Sequence, residues 1–325
     1  MRLGTRGSAL ALAQTEWVAA QLDAAEVVAI EGWDGNGARS GEGGATPSEQ
    51  GDKGRFVRAV EEALIAGRVD IGVHSAKDVP GSMSDELALA GVPAREEPRD
   101  AFVGEAASLG DVAAGARIGT ASLRRRSQLL ALRPDLEIVP LRGNVDTRLR
   151  RLADGDYDGI VLAAAGLARL GRESEIAFLF PPDAMTPAPG QGALALQIRA
   201  GDAEAAGQAA ALTDETALVE LTAERAAVAA LDASCDTPLG VLARLSGERL
   251  EIRGYAGLPD GSEWVRDLIE GPAEDPVAIG RELATRRAAA GALEIFARAR
   301  EQASSCARGR ASPISSAPAR ATRGW

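Results

Sequence analysis

Lysine is almost absent from this 325-residue chain. Of its 36 basic residues only Lys53 and Lys77 are not Arg, so wherever a plain positive charge would serve the chain uses Arg, and a retained Lys marks a place that needs a compact ammonium. Histidine is rarer still, with His74 the single example. Two cysteines, Cys235 and Cys306, are too few for a disulfide framework and fit a cytoplasmic setting. No uninterrupted run of about 18 apolar residues occurs, and Arg2 to Ser8 leads straight into an Ala/Leu/Gln stretch containing Glu16, so neither a membrane span nor a signal peptide is expected. Basic surface is lacking as well. A net charge of -11 argues against nucleic acid or an anionic membrane as partner, since both require a basic face. Finally, there is no GxxxxGK[ST] loop, which removes the ordinary route to nucleotide chemistry.

What is present is concentrated. The only histidine and one of the two lysines share Asp70-Ile71-Gly72-Val73-His74-Ser75-Ala76-Lys77-Asp78-Val79-Pro80. Val69 to Val73 reads as a short buried strand, Gly72 permits close backbone approach, and Pro80 stops whatever follows. His74 to Asp78 is then expected on the loop at a strand's carboxyl end, the edge where open α/β sheets bind ligands. Taken alone, Lys77 and Asp78 read more simply as a surface ion pair, and His74 as a core histidine.

The rest of the chain supplies a frame. Leu3 to Thr5 is a first strand, and Ser8 caps a helix running to about Asp23. Val27 to Ile30 follows, then Gly32 to Gly54, so rich in Gly, Ser, Asp and Glu that it reads as a mobile loop. A helix from Phe56 to Ala66 ends at Gly67. Leu87 to Val92 is a strand, and Pro93 to Pro98 a crossing into a second unit. There Arg117 to Thr120, Leu123 to Leu132, Leu136 to Leu141, Val145 to Leu152 and Gly159 to Ala164 alternate as strand, helix, strand, helix, strand, the pattern of a parallel sheet. Pro187 to Gly192 is a second crossing that returns Ala193 to Ile198 to the first unit. An Ala-rich helix over 214–232, strands at Thr237 to Leu245, Leu250 to Tyr255 and Glu263 to Glu270, and one last helix from Pro276 to about Glu301 form a small α+β unit. Gln302 to Trp325, with no acid and four arginines, reads as a disordered tail.

Arginine placement carries chemistry. Arg124 to Arg126 occupy the first turn of a helix capped by Ser122, where cations oppose the helix dipole by roughly 0.3–1 kcal/mol each. An anion received jointly by Arg124, Arg125 and the helix N–H groups explains them. Arg142 and Arg148 repeat the device around Asn144, and Arg169 follows the next strand. A set of solvated arginines is the plainer alternative. A cleft so lined would take a small polyanion, and planar guanidiniums pair with carboxylates bidentately. Cys235, in Ala233-Ser234-Cys235-Asp236-Thr237-Pro238, reads by itself as an inert buried thiol sooner than a functional one.

Arg6-Gly7-Ser8, Lys53-Gly54-Arg55-Phe56, His74 to Pro80, Ser122-Leu123-Arg124-Arg125, Leu141-Arg142-Gly143-Asn144-Val145 and Cys235 occur in this order and resemble the porphobilinogen deaminase family, also called hydroxymethylbilane synthases, over about Arg2 to Arg300. The resemblance implies two type II periplasmic-binding-like α/β lobes with a double crossover plus a small α+β C-terminal domain. The lobes are expected at 1–93 with 193–212 and at 98–187, the cofactor-bearing domain at 214–301 and the tail at 302–325. It further implies a dipyrromethane cofactor on Cys235 through a thioether, with Lys77, Ser75, Ser122, Arg124, Arg125 and Thr120 around it. Asp78 would be the catalytic carboxylate. Arg6, Ser8, Lys53, Phe56, Arg142, Arg148 and Arg169 would meet the substrate porphobilinogen, although Phe56 by position is equally a core aromatic. Gly32 to Gly54 would be a lid. The product would pass to uroporphyrinogen-III synthase, and a monomer is implied. The chain departs from the family's pattern at Glu31 to Gly35, where a Thr-x-Gly-Asp-like turn is usual, and at Ala233-Ser234, where Gly-Gly is usual. The rival reading is a two-lobed, non-catalytic receptor for a carboxylated small molecule, which would need neither Cys235 nor a third domain.

Overall fold

A computed structural model describes residues 1–30, 52–234 and 236–307. Of the stretch read as a mobile loop, residues 32–51 lie outside the described residues, as do Cys235 and the tail beyond residue 307, whereas Asp52 to Gly54, read as loop, are helical.

The chain opens with β1 (Arg2–Arg6), α1 (Ala9–Ala19), β2 (Glu26–Ile30), α2 (Asp52–Ile65), β3 (Ile71–Ser75), a 3₁₀ turn (Ala76–Asp78) and β4 (Leu87–Gly91). It crosses to β5 (Asp100–Gly104), β6 (Arg117–Gly119), α3 (Leu123–Leu132), β7 (Glu137–Val139), α4 (Val145–Ala153), β8 (Gly159–Ala163), α5 (Ala164–Ala168) and β9 (Phe178–Leu179). It returns through β10 (Leu194–Arg199) and α6 (Ala203–Ala211), then ends with α7 (Glu215–Ala230), β11 (Leu239–Ser246), β12 (Arg249–Gly257), β13 (Trp264–Pro272), α8 (Pro276–Ala289) and α9 (Ala292–Ala307).

Two five-stranded sheets follow one plan. The first has the order β2-β1-β3-β10-β4 and the second β7-β6-β8-β5-β9. In each, three strands run parallel and a strand from the far side of a crossing inserts antiparallel beside them: β10 against β3, and β5 against β8. This is the expected pair of type II periplasmic-binding-like lobes with a double crossover. The third sheet, β11-β12-β13, is an antiparallel meander packed on α7, α8 and α9 around Val241, Ile252, Leu283 and Phe296.

β3 is the strand that matters for position. Paired on both sides, it is buried from Ile71 to His74, as a central strand under helices on both faces must be. His74 therefore lies within the strand, opposite Ala195, and not on the loop assigned to it from sequence; the turn begins only at Ala76. The single last helix is also corrected. It is two helices, α8 and α9, parted at Gly291, whose φ of 97° ends the first. α9 runs on to Ala307, so Gln302 begins no irregular tail. No helix among the described residues is long and apolar enough to cross a membrane.

The second crossing touches the β3 turn directly. A Cβ on Gly190 (φ 71°) would come within 2.9 Å of the Ala76 carbonyl carbon and the Lys77 nitrogen, and one on Gly192 (φ 89°) would collide with Glu96 O. Only glycine fits both constraints, so the two crossings lie against each other and beneath the turn.

Candidate functional site

The site is built at the carboxyl edge of β3. Asp78 ends the 3₁₀ turn, and Arg6, at the carboxyl end of the neighbouring parallel β1, holds its Nη2 3.7 Å from Asp78 Oδ2. Ser8 caps α1 by accepting from Ala11 N at 3.3 Å, which fixes the β1–α1 turn carrying Arg6. From α1, buried Gln14 donates to Ser75 Oγ at 3.0 Å. Arg6, Gln14, Val73, His74, Ser75 and Asp78 line one small pocket. His74 is the neutral floor of that pocket, because burial first and the Arg6 charge second hold its pKa down to about 4. Lys77 is half-buried in the turn that Gly190 abuts.

The second lobe brings its cations toward the same place. Asn144 caps α4 by accepting from Thr147 N at 2.9 Å, and Arg148 Nε donates to Gly143 O at 2.8 Å. Burial and the nearby Arg125 charge push the Arg148 guanidinium down to about 10, with Asp78 opposing them. Arg148 and Asp78, from different lobes, thus feel each other's charge. Among the described residues no carboxylate lies within ion-pair distance of Arg148. Arg142 is exposed just before this turn. Arg169, at the end of α5, turns to the second crossing instead, where its Nη2 donates to Gly192 O at 2.7 Å; burial pushes it down to about 10 against the charge of Glu96.

Arg124 and Arg125 have a partner inside the protein: Asp100, the first residue of β5, is fully buried between the two guanidiniums at 2.6 and 2.8 Å. Arg124 also donates to Thr186 O and Arg125 to Val161 O, each at 2.8 Å. Burial pushes the Asp100 carboxyl up, but Arg124 and Arg125 outweigh it and hold it well below the usual carboxylate range. Ser122 caps α3 through Arg125 N, and buried Thr120 accepts from Ser122 N at 3.2 Å. Lys53 and Phe56 fall in the first turns of α2, and their side chains, like Cys235, are outside the described residues. On either side of residue 235, Ser234 N donates to Thr237 Oγ1 at 2.9 Å and Thr237 N to Ser234 O at 3.0 Å.

Two models of known families match the chain: "Porphobilinogen deaminase, dipyromethane cofactor binding domain" over residues 1–207 and "Porphobilinogen deaminase, C-terminal domain" over residues 218–288. The chain belongs to the porphobilinogen deaminase family. Porphobilinogen deaminases from a Roseiflexus species and from Thermus thermophilus are 47% and 44% identical to it, over 87% and 92% of this chain and 93% and 98% of theirs. One from Campylobacter concisus is 41% identical over 93% of this chain and 99% of its own. Family membership disfavours the receptor reading and makes dipyrromethane the cofactor.

The donor set fits such a group. A dipyrromethane bears acetate and propionate carboxylates, and the structure holds a half-buried cation, Arg148, whose one side-chain hydrogen bond among the described residues is to a carbonyl. Sequence reasoning missed Gln14 and Asp100. Each had a signal: an amide in the middle of an Ala/Leu helix, and a lone acid directly before the apolar run Ala101-Phe102-Val103.

Proposed function

We propose that this porphobilinogen deaminase family member is a hydroxymethylbilane synthase, a transferase that joins four porphobilinogens head to tail, releases ammonia, and frees the linear tetrapyrrole by hydrolysis. The observation that carries the reading is the placement of Asp78, on a turn between Arg6 of one lobe and the charge of Arg148 from the other. Loss of ammonia from porphobilinogen leaves a cation, and joining the next pyrrole leaves a second that must shed a proton. A fixed carboxylate at Asp78 stabilises both, most strongly where water is excluded. Arg6, 3.7 Å away, aims that carboxylate. When bound on Cys235, the dipyrromethane supplies the terminal pyrrole from which the chain grows.

The other residues divide the work of holding carboxylates. Arg142, Arg148 and Lys77, with Lys53, Ser8 and Arg169, pair with acetate and propionate groups; Ser75, Thr120 and Ser122 donate hydrogen bonds beside them, and Phe56 packs near the pyrroles. Arg124 and Arg125 share the single charge of Asp100, hold the start of α3 in place, and offer their remaining positive charge to the cofactor's carboxylates. The three sheets support a division into lobes at 1–93 with 193–212 and at 98–187, and a cofactor-bearing domain from 214. The protein works as a cytoplasmic monomer that hands its product to uroporphyrinogen-III synthase.

Two measurements test the reading. Intact mass with peptide mapping is expected to find two linked pyrrole units on Cys235; a thiol still bare after incubation with porphobilinogen overturns the cofactor site. Asp78→Asn, close in shape and uncharged, is expected to fold and to lose turnover by about 10²-fold or more. Wild-type turnover in that variant removes Asp78 from the reaction.

A further inference from the structure

α7 ends at Ala230, shortly before Cys235 in the chain, and its flank lies against the segment around Asp78. Ala76 and Val79 pack with Ala217 and Leu221 of α7 in one buried cluster. Gly81 lies directly on the same helix: a Cβ there would sit 3.5 Å from Val228 Cγ1 and 3.7 Å from Ala229 Cα. Between these contacts Arg225, also on α7, extends its guanidinium to three successive carbonyls. Its Nη2 donates to Pro80 O at 2.9 Å and to Gly81 O at 3.4 Å, and its Nη1 to Val79 O at 3.4 Å. Among the described residues it has no carboxylate partner, and burial alone pushes its pKa down.

A half-buried cation with no acid is an expensive way to hold a loop, since apolar packing would do so without the desolvation cost. What a guanidinium adds is direction. Its planar fork fixes the orientation of the peptide planes at residues 79–81, and those planes determine where the preceding side chain points. We propose that Arg225 is a positioning residue for Asp78, locking the segment after the carboxylate to the helix that leads to Cys235 so that carboxylate and cysteine stay in one frame. The inference rests on the reading of Asp78 as the reaction's carboxylate. Misplacing such a group by about 1 Å can cost on the order of 10²-fold in rate.

The test compares wild type, Arg225→Met, Arg225→Lys, Arg225→Gln and Asp78→Asn in the full chain. It follows kcat and KM for porphobilinogen together with backbone amide exchange over residues 76–83. Arg225→Met is expected to lower kcat by about 10-fold or more with KM within about twofold. Arg225→Lys, which keeps one donor for Pro80 O, recovers part of the loss. Exchange over residues 76–83 rises by about tenfold in Arg225→Met while α7 keeps its wild-type protection. A folded Arg225→Met with wild-type kcat, or a fall in kcat with unchanged exchange, overturns the inference. If Arg225→Met does not fold, Arg225→Lys and Arg225→Gln decide by the same pairing of kcat and exchange. An inactive Asp78→Asn beside an unimpaired Arg225→Met sinks the positioning role alone, whereas an active Asp78→Asn sinks the reading of Asp78 and the inference with it.

Discussion

His74, the only imidazole in the chain, shows what one buried titratable residue does to stability. In the folded protein burial and Arg6 hold its pKa to about 4, against about 6.5 when exposed. The unfolded chain therefore binds a proton between these values that the folded chain refuses, so stability rises with pH through this window and falls as pH drops below about 6.5. By pH 4 the loss from this residue is roughly 3 kcal/mol. Urea midpoints at pH 7 and pH 4.5 are expected to fall apart in wild type and to lie closer together in His74→Leu; an equal spread in both excludes His74 as the source. At this scale the sequence showed composition better than partnership. The rarity of His and Lys led to the β3 turn, and Arg6 followed from its place before Ser8. Arg124 and Arg125 were visible as charge in the wrong place for a helix dipole, but the acid they share, Asp100, sits 24 residues before Arg124, and no local pattern pairs them.

Elements were legible where periodicity and caps agreed. α3 has the bounds its apolar pattern and Ser122 cap predict, and Asn144 and Asp214 cap α4 and α7 as Asx residues should. β5 and β9 were missed because one is a short run behind a proline-rich crossing and the other only two residues long. α8 and α9 read as one helix because alanine on both sides of Gly291 continues the period. Glycine chemistry inside the helices gives a paired test. In α8, a Cβ on Gly280 would collide with Ala223 O on α7, closer than any side chain tolerates. Gly207 in α6 is exposed with nothing within 4 Å of that position. Gly280→Ala is expected to cost about 1–3 kcal/mol by forcing α7 and α8 apart. Gly207→Ala is expected to add about 0.5–1 kcal/mol through helix propensity. Urea unfolding measures both, and the same sign for the two would show that the α7–α8 contact yields more easily than its geometry implies.

Across the whole molecule, the double crossing was legible as a stretch dense in charge and proline, 93–98, and one rich in Pro and Gly, 187–192, between runs of strand and helix. What ties the crossings together was not, because its acids lie in an Ala-rich helix more than a hundred residues from the first crossing. Glu224, fully buried on α7, accepts from Arg95 Nη1 of the first crossing at 2.7 Å, from Gly190 N of the second at 2.6 Å, and from Ala243 N of β11 at 2.8 Å. Arg95 adds a bond to Gln191 O at 3.0 Å, and Glu220 joins at 3.2 Å. One carboxylate thus joins both lobes' connections to the third sheet. Removing it leaves a buried guanidinium short of charge and two buried N–H groups without acceptors, a loss of about 3–5 kcal/mol. Because that loss falls on the junction and not inside any one core, it weakens coupling between the parts more than the parts themselves. Glu224→Ala is therefore expected to unfold in urea with an early step separated from the main transition. Glu224→Gln, which keeps acceptors for the backbone, is expected to unfold in one step at a lowered midpoint. A single transition at the wild-type midpoint in Glu224→Ala would mean that packing of the three cores, and not this acid, holds the molecule together.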